Sequence, residues 1–167
     1  MNKIIIILLF PLLCIGQSET KREYYSSGKL LSIINYEDGI RNGSCKYFWD
    51  FGAWAIMSES NYKNGKLIGT SKSYNKQGAL IEEGNYKYTE KGVYSRKDGV
   101  WKTYFENGQL KMESIIKDDI QLEWISYYPN GELNQRGETI LKDGVPVEQN
   151  IYDSDGKLVP MGEGWGC

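Results

Sequence analysis

Histidine is absent from this chain of 167 residues, and its absence excludes several kinds of site. Without an imidazole there is no Ser–His or Cys–His nucleophile pair, no histidine general base and no histidine ligand for a metal. Neither sign of charge dominates, with 20 Lys and Arg against 22 Asp and Glu, so the chain lacks the positive field that attracts nucleic acid. The composition therefore predicts a protein that is not an enzyme, uses no cofactor or metal and binds no nucleic acid.

Long apolar runs are also absent, except for one at the N-terminus. Residues 4–16 are apolar, follow Lys3 and end at the polar segment 17–22. These thirteen residues would span only about 20 Å as a helix, less than the roughly 30 Å core of a membrane, and Pro11 interrupts them. The pattern predicts a signal peptide, residues 1–16, and an exported mature protein that is periplasmic, on the outer membrane surface or secreted.

Cysteine is scarce, with 3 residues, and each opens an alternative. Cys14 is a possible acylation site, and the protein would then associate with a membrane. Leu13 stands where a lipobox has a small residue, which favours cleavage before Gln17 instead. Cys45 and Cys167 remain after that cleavage, and in an oxidising compartment they either pair or stay unpaired.

Aromatic residues make up 13% of the chain, and they recur next to turn glycines. Six short segments share this pattern, among them "YFENGQL" at 104–110 and "YYPNGEL" at 127–133. The intervals between their glycines are 24, 26, 30, 23 and 25 residues, which is typical of stacked supersecondary repeats. These glycines mark what we call the leading turns, at Gly28, Gly52, Gly78, Gly108, Gly131 and Gly156.

A second turn signal follows each of the first five leading turns, and we call these the following turns. They lie at residues 38–39, 64–65, 98–99, 118–119 and 143–144, and four of the five end in glycine. Each unit then consists of strand, turn, strand and turn, which predicts an all-β protein. Glycine suits such turns because two-residue hairpin loops of types I′ and II′ need positive φ.

A two-residue loop at residues 107–108 would fix the register of its hairpin. It places Phe105 opposite Leu110, and it places Lys102 opposite Glu113 as a charge pair. The same count predicts three further pairs, which are Tyr25 with Leu30, Trp49 with Trp54, and Tyr128 with Leu133.

The repeated units resemble the MORN repeat variant. The best agreement is "DGVWKTYFENGQLKMESIIKDD" at 98–119, and "LEWISYYPNGEL" at 122–133 and "NYKNGKLIG" at 61–69 support it. The resemblance implies an elongated antiparallel sheet of stacked β-hairpins, and the family motif carries no catalytic residues. Bacterial exported proteins of this kind are often labelled as antitoxins of toxin–antitoxin systems, so the resemblance also implies that role.

The resemblance divides the chain into segments. It covers residues 23–158, with 17–22 as an N-terminal linker and 159–167 as a C-terminal tail or cap. Two units depart from the motif, because the first lacks the Trp before its Tyr pair and the third is long.

The long third unit contains the segment 86–99, which puts 21 residues between Gly78 and Gly99 where other units have 11 or 13. Insertions in repeat arrays form loops, so this segment is either an incidental insertion or, as the best local candidate, a contact with a protein partner. The predicted contact residues are Lys87, Tyr88, Lys91, Tyr94, Arg96 and Lys97.

An open aromatic face is a second possible binding surface, because aromatic rings stack on sugars and on peptide side chains. Packing within the repeats is the alternative explanation of the same residues. They are Trp49, Trp54, Tyr62, Trp101, Tyr104, Trp124 and Tyr127.

The sequence thus predicts an exported, non-enzymatic repeat scaffold that binds a protein or another ligand, with the antitoxin role as the alternative. A carboxylate-dependent glycan hydrolase is the weakest alternative, based only on the number of acidic residues. Glu82 and Glu83 would not form its catalytic pair, because neighbouring residues of a strand point to opposite faces. Residues 153–156 resemble part of a calcium loop, but the acidic residues at its two ends are missing, which predicts a plain turn.

Overall fold

The computed structural model describes residues 16–52, 54–88 and 94–160, and this part of the chain forms one antiparallel sheet. The predicted all-β architecture of successive hairpins is confirmed. No helix long and apolar enough to cross a membrane occurs in those ranges. The strands are β1 (Ser18–Tyr24), β2 (Leu30–Glu37), β3 (Ile40–Phe48), β4 (Ile56–Lys63), β5 (Lys66–Tyr74), β6 (Leu80–Lys87), β7 (Arg96–Lys97), β8 (Gly99–Tyr104), β9 (Leu110–Lys117), β10 (Ile120–Tyr127), β11 (Leu133–Lys142) and β12 (Val145–Asp153).

Strands that are consecutive in the chain are neighbours in the sheet, with one exception. The short β7 and the following β8 both pair with β6, so they share one position in the sheet. Gly99, with φ of 85°, begins β8 immediately after this break. The predicted turn at 98–99 is therefore wrong, and the chain reverses instead between Lys87 and Arg96.

The other four following turns are two-residue hairpin loops. In the turn between β2 and β3, Asp38 and Gly39 have φ of 50° and 77°, and Glu37 pairs with Ile40. Positive φ at both central residues defines the type I′ turn, whose twist matches that of the flanking strands. The same geometry joins β4 to β5, β9 to β10, and β11 to β12, as predicted.

Five of the six leading turns are one residue longer than predicted. At Gly108, the Phe105 N–H donates to the Gln109 carbonyl at 2.8 Å and the Gly108 N–H donates to the Phe105 carbonyl at 2.9 Å. Only Gly108 has positive φ, 83°, which identifies a three-residue loop with a glycine bulge. The same pair of hydrogen bonds closes the turns at Gly28, Gly78, Gly131 and Gly156.

The extra residue shifts the pairing next to each leading turn. Tyr104, and not Phe105, lies opposite Leu110, whereas the predicted pair of Lys102 with Glu113 is confirmed. Two other predicted pairs are wrong for the same reason, and the pair of Trp49 with Trp54 is wrong because its loop is longer still. Tyr24 faces Leu30, Tyr127 faces Leu133, and the Trp49 N–H bonds to the Ala55 carbonyl across a longer loop.

Most buried side chains lie on one face of the sheet, which we call the inner face. Ile34 and Cys45 pair across β2 and β3, and both are at least 98% buried. Small serines, among them Ser32 and Ser114, fill much of the rest of this face. The described residues form a single sheet, so short side chains and close packing provide its core.

Two tryptophans of the inner face pack on glycines of the neighbouring strand. A Cβ at Gly84 would lie 2.1 Å from the Trp101 ring, and a Cβ at Gly137 would lie 2.5 Å from the Trp124 ring. Atoms cannot approach so closely, so only glycine leaves room for each indole. The close packing on Gly84 explains why Trp101 is 95% buried.

The described ends of the chain continue the sheet. Residues 18–22 form most of β1, so the predicted linker at 17–22 is wrong apart from Gln17. The backbone N–H of Gln17 donates to the Asp38 carboxylate at 3.0 Å. At the other end Leu158 pairs with Tyr152 and folds back on β12. The predicted signal peptide up to residue 15, Cys14 and Cys167 lie outside the described residues.

Candidate binding site

A row of alternating charges crosses the outer face of the sheet, and we call it the charge ladder. Its residues lie directly opposite one another on neighbouring strands, one residue per strand. The hairpins closed by leading turns hold the ion pairs, with N–O distances of 2.6, 3.2 and 3.0 Å. The ladder consists of Lys46, Glu59, Lys72, Glu83, Lys102 and Glu113.

Tyrosine hydroxyls bind two carboxylates of the ladder. Tyr104 donates to Glu83 at 2.6 Å, and this bond is the main cause that lowers the pKa of Glu83. Burial raises the pKa of Tyr104 to about 12. The Lys46 ammonium lowers the pKa of Glu59, which also accepts from Tyr74 at 3.2 Å. A carboxyl group with a lowered pKa is a poor general acid near pH 7, so these residues act as structural acceptors.

The lysines predicted to contact a partner at 86–99 are already paired with acids. Lys87 lies 2.6 Å from the Asp98 carboxylate and 3.5 Å from that of Asp118. Lys97 lies 3.0 Å from the Glu82 carboxylate, and its ammonium sits 3.8 Å from the centre of the Trp101 ring. Lys87 and Lys97 also belong to strands, β6 and β7, and not to a loop.

The remaining predicted contact residues do not assemble into one surface. Arg96 donates to the Asp118 carbonyl at 3.5 Å, and the Lys66 ammonium lies 5.2 Å from the centre of the Tyr88 ring. Tyr94 is 78% exposed, and Lys91 lies outside the described residues. The structure therefore brings the strand residues of this segment together, but their charge is balanced by neighbouring acids.

The predicted aromatic face is largely closed by packing. Trp101 and Trp124 cover glycines, Tyr104 binds Glu83, and Tyr62 lies under the Arg41 guanidinium at 5.5 Å. Trp54 differs from them, because it is 67% exposed. It belongs to the long loop of the second leading turn.

This loop, β1 and the residues that follow Gly28 line an open pocket of about 320 Å³, which we call the aromatic pocket. The Phe48 and Trp54 rings meet edge to face, with centroids 5.8 Å apart. The Tyr25 hydroxyl donates to the Phe48 carbonyl at 2.8 Å and fixes the base of the loop. The pocket is lined by Arg22, Tyr24, Lys29, Leu30, Phe48, Trp49, Gly52 and Trp54.

Two cations stand at the pocket without a carboxylate partner. Within the described ranges, neither Arg22 nor Lys29 forms an ion pair, and both are exposed. Lys29 donates to the Asp50 carbonyl at 3.1 Å, which holds its ammonium next to the loop. The Trp49 indole N–H is buried and has no acceptor in the described part of the chain. The pocket thus combines aromatic surface with two cationic side chains that form no ion pair in the described ranges.

The sequence contained only part of the signal for this site. The sequence predicts Trp49 and Trp54 as part of an aromatic surface, but nothing in it links Arg22, Tyr24 and Lys29 to them. The available signal was "WDFGAWA" at 49–55, the leading turn that lacks the Leu found two residues after the glycine in the other five. The pairing of β1 with β2, which brings Arg22 to this loop, was hidden by the assignment of 17–22 as a linker.

Residues 20–38, 67–88, 97–118 and 121–140 match the family model of the MORN repeat variant. The chain carries repeats of the MORN variant. No curated protein matches the chain significantly. The loop of the aromatic pocket lies between the first two matched MORN-variant stretches, so it is outside the part of the chain that follows the family pattern.

The neighbouring glutamates and the calcium-like turn of the sequence have structural roles in the described ranges. No group of three or more His, Cys, Asp or Glu residues that could hold a metal ion is found in the described ranges. Glu82 and Glu83 point to opposite faces, the former to Lys97 and the latter to Tyr104. Residues 153–156 form a turn, in which the Gly156 N–H donates to the Asp153 carbonyl at 3.0 Å.

Proposed function

We propose that the protein is an exported, non-catalytic MORN-repeat scaffold that binds a protein partner through the aromatic pocket. The observation that carries this proposal is the exposure of Trp54 and Tyr24, 67% and 59%, beside the unpaired cations Arg22 and Lys29. Exposed aromatic and arginine side chains dominate the binding energy of many protein interfaces. The charge ladder keeps the neighbouring strands in register and so supports the pocket.

The pocket is a better binding site than the segment 86–99. A partner that used Lys87 and Lys97 would first have to displace Asp98 and Glu82, which already neutralise them. Breaking these ion pairs offsets most of the gain from new ones. At the pocket, a partner could bind Arg22 without first displacing a paired carboxylate of the described residues.

Export rests on the apolar segment 4–16 and its polar boundary at Gln17. The antitoxin role has only the resemblance to family members in its support. A glycan hydrolase would need two carboxyl groups on the same side of a cleft, and Glu83 and Glu59 serve instead as acceptors in the ladder.

The test is quantitative capture of partners from a native cell-envelope fraction by the immobilised protein. The Trp54→Ala variant should capture at least about tenfold less partner, because a central aromatic residue carries much of the binding energy. The matched control is Tyr94→Ala, which removes an even more exposed ring from the segment 88–95 and should leave capture unchanged. Retention by Trp54→Ala with loss in Tyr94→Ala would move the site to that segment.

A further inference from the structure

The aromatic pocket opens beside a free edge of the sheet. β1 is the first strand in the sheet order, and among the described strands it pairs only with β2. All 7 of its residues are exposed. Its outer edge therefore presents backbone N–H and C=O groups without sheet partners, and such an edge accepts an extended peptide as an additional strand.

β1 contributes two side chains to the pocket at a spacing that matters for this mode of binding. Arg22 and Tyr24 are two residues apart, so they project from the same face of the strand. Lys21 projects from the opposite face and is engaged by Glu19 at 3.0 Å. A peptide added to this edge would place one side chain next to Arg22 and another, two positions away, next to Tyr24.

We propose that the aromatic pocket binds an acidic peptide segment in extended conformation, added to the outer edge of β1. A carboxylate of the peptide would pair with Arg22 and lie near Lys29, and an aromatic side chain two positions away would pack on Tyr24 and Trp54. This inference rests on the proposed function, because it names the chemistry of the segment that the same pocket binds.

Charge and shape both select this ligand class. The Arg22 guanidinium has no carboxylate partner in the ranges described, and arginine binds carboxylates with two parallel hydrogen bonds. The pocket also offers the open rings of Tyr24 and Trp54, which favour an aromatic side chain over a small polar one. The peptide must be extended because a strand is the element that can pair with the backbone N–H and C=O groups at the outer edge of β1.

Synthetic octapeptides test the spacing directly. The probe is fluorescein-labelled (Asp-Ser-Phe-Ser)₂, in which acid and ring share one face of a strand. Its control, (Asp-Phe-Ser-Ser)₂, has the same composition but places them on opposite faces. Fluorescence anisotropy should show binding of the first that is at least about tenfold tighter than binding of the second. Equal affinities would overturn the inference.

Protein variants separate the charge from the fold. Arg22→Gln should weaken binding of the probe by about tenfold, whereas Lys21→Gln, on the other face of the same strand, should leave it unchanged. Both side chains are exposed, so circular dichroism should show the same sheet in each variant. Equal loss in the two variants would indicate unspecific attraction and contradict the proposed site.

Edge addition is tested with the same probe carrying N-methyl groups on alternate peptide nitrogens, in the two possible frames. One frame should lose binding and the other should keep it, because only alternate N–H groups face the neighbouring strand. Equal binding of both frames would exclude edge addition. If no octapeptide binds, or if only an acidic oligosaccharide does, while Trp54→Ala still loses the native partner, the peptide chemistry is wrong and the proposed function stands. Capture that is unaffected by Trp54→Ala would instead refute the proposed function.

Discussion

The ring of Trp101 on β8 occupies the space that a side chain at Gly84 on β6 would need. A Cβ at that position would lie 2.1 Å from the ring, so glycine is a packing requirement here, separate from any turn. The contact stabilises the sheet where the repeat pattern is interrupted by the segment 88–95.

Replacement of Gly84 by alanine should therefore destabilise the protein. The added methyl group forces Trp101 out of its position, and overpacking of this kind costs about 1–3 kcal/mol in the free energy of unfolding. Urea denaturation followed by tryptophan fluorescence measures the loss. The double variant Gly84→Ala with Trp101→Leu should recover part of it relative to the sum of the single changes. A fully additive result would show that the two residues do not interact as described.

The leading turns give a second prediction. Gly108 has φ of 83°, a region in which a β-branched residue is strained, whereas Gln109 does not have positive φ. Gly108→Val should lower the free energy of unfolding by about 1–3 kcal/mol, and Gln109→Val should change it far less. Thermal unfolding of the two variants under the same conditions provides the comparison, and equal melting temperatures would contradict the turn geometry.

Turn chemistry made the architecture predictable, but it did not fix the length of each loop. Residues 143–144 and 107–108 both end in glycine after a short polar residue, yet the first pair forms a type I′ turn and the second lies in a three-residue loop. In the second case the Asn107 side chain accepts from the Gln109 N–H at 3.0 Å and stabilises the longer loop. Dipeptide preference alone does not contain that bond.

The charge ladder was only partly predictable for a related reason. Lys102 and Glu113 were paired by counting outward from Gly108, and the same count around Gly78 reaches Lys72 and Glu83. The continuous row depends on how one hairpin docks on the next, which is set by the following turns and by the bulges beside them. The aromatic pocket was missed because Arg22 is far in sequence from Trp54, and only the pairing of β1 brings them together.

The ladder predicts a defined dependence of stability on pH. The Tyr104 hydroxyl holds the pKa of Glu83 below its ordinary value of 4.5, so this carboxylate stabilises the fold above that pH. The contribution is lost as the pH falls through the lowered pKa, when the folded protein takes up the proton. Glu83→Gln should cost about 1 kcal/mol at pH 7, since the pair is partly exposed to solvent.

The difference between wild type and Glu83→Gln should then shrink as the pH is lowered from about 6 to below the ordinary carboxyl range. Tyr104→Phe removes the main cause that lowers the pKa of Glu83. The pH range over which Glu83 changes the stability should therefore become narrower. Chemical denaturation of the three proteins at several pH values measures this. A difference that stays constant over this whole pH range would show that the stabilisation by Glu83 does not depend on its ionised form.

Signal cleavage before Gln17 should create an ion pair. The Gln17 nitrogen lies 3.0 Å from the Asp38 carboxylate, and the Asp38 N–H donates to the Gln17 carbonyl at 3.1 Å. Cleavage converts the amide nitrogen into a charged ammonium next to this carboxylate. Mass spectrometry of the exported protein should show an N-terminus at Gln17, and Asp38→Asn should destabilise that form by about 0.5–1 kcal/mol. Intact Met1 on a cytosolic protein would contradict export.

Hydrogen–deuterium exchange on the complex with the captured partner tests most directly whether binding occurs at the aromatic pocket. Slower exchange should be confined to residues 22–30 and 48–55, with the amides of 86–99 unchanged, because the partner covers the pocket and the adjacent edge of β1. Protection of 86–99 without protection of 22–30 and 48–55 would contradict the proposed site.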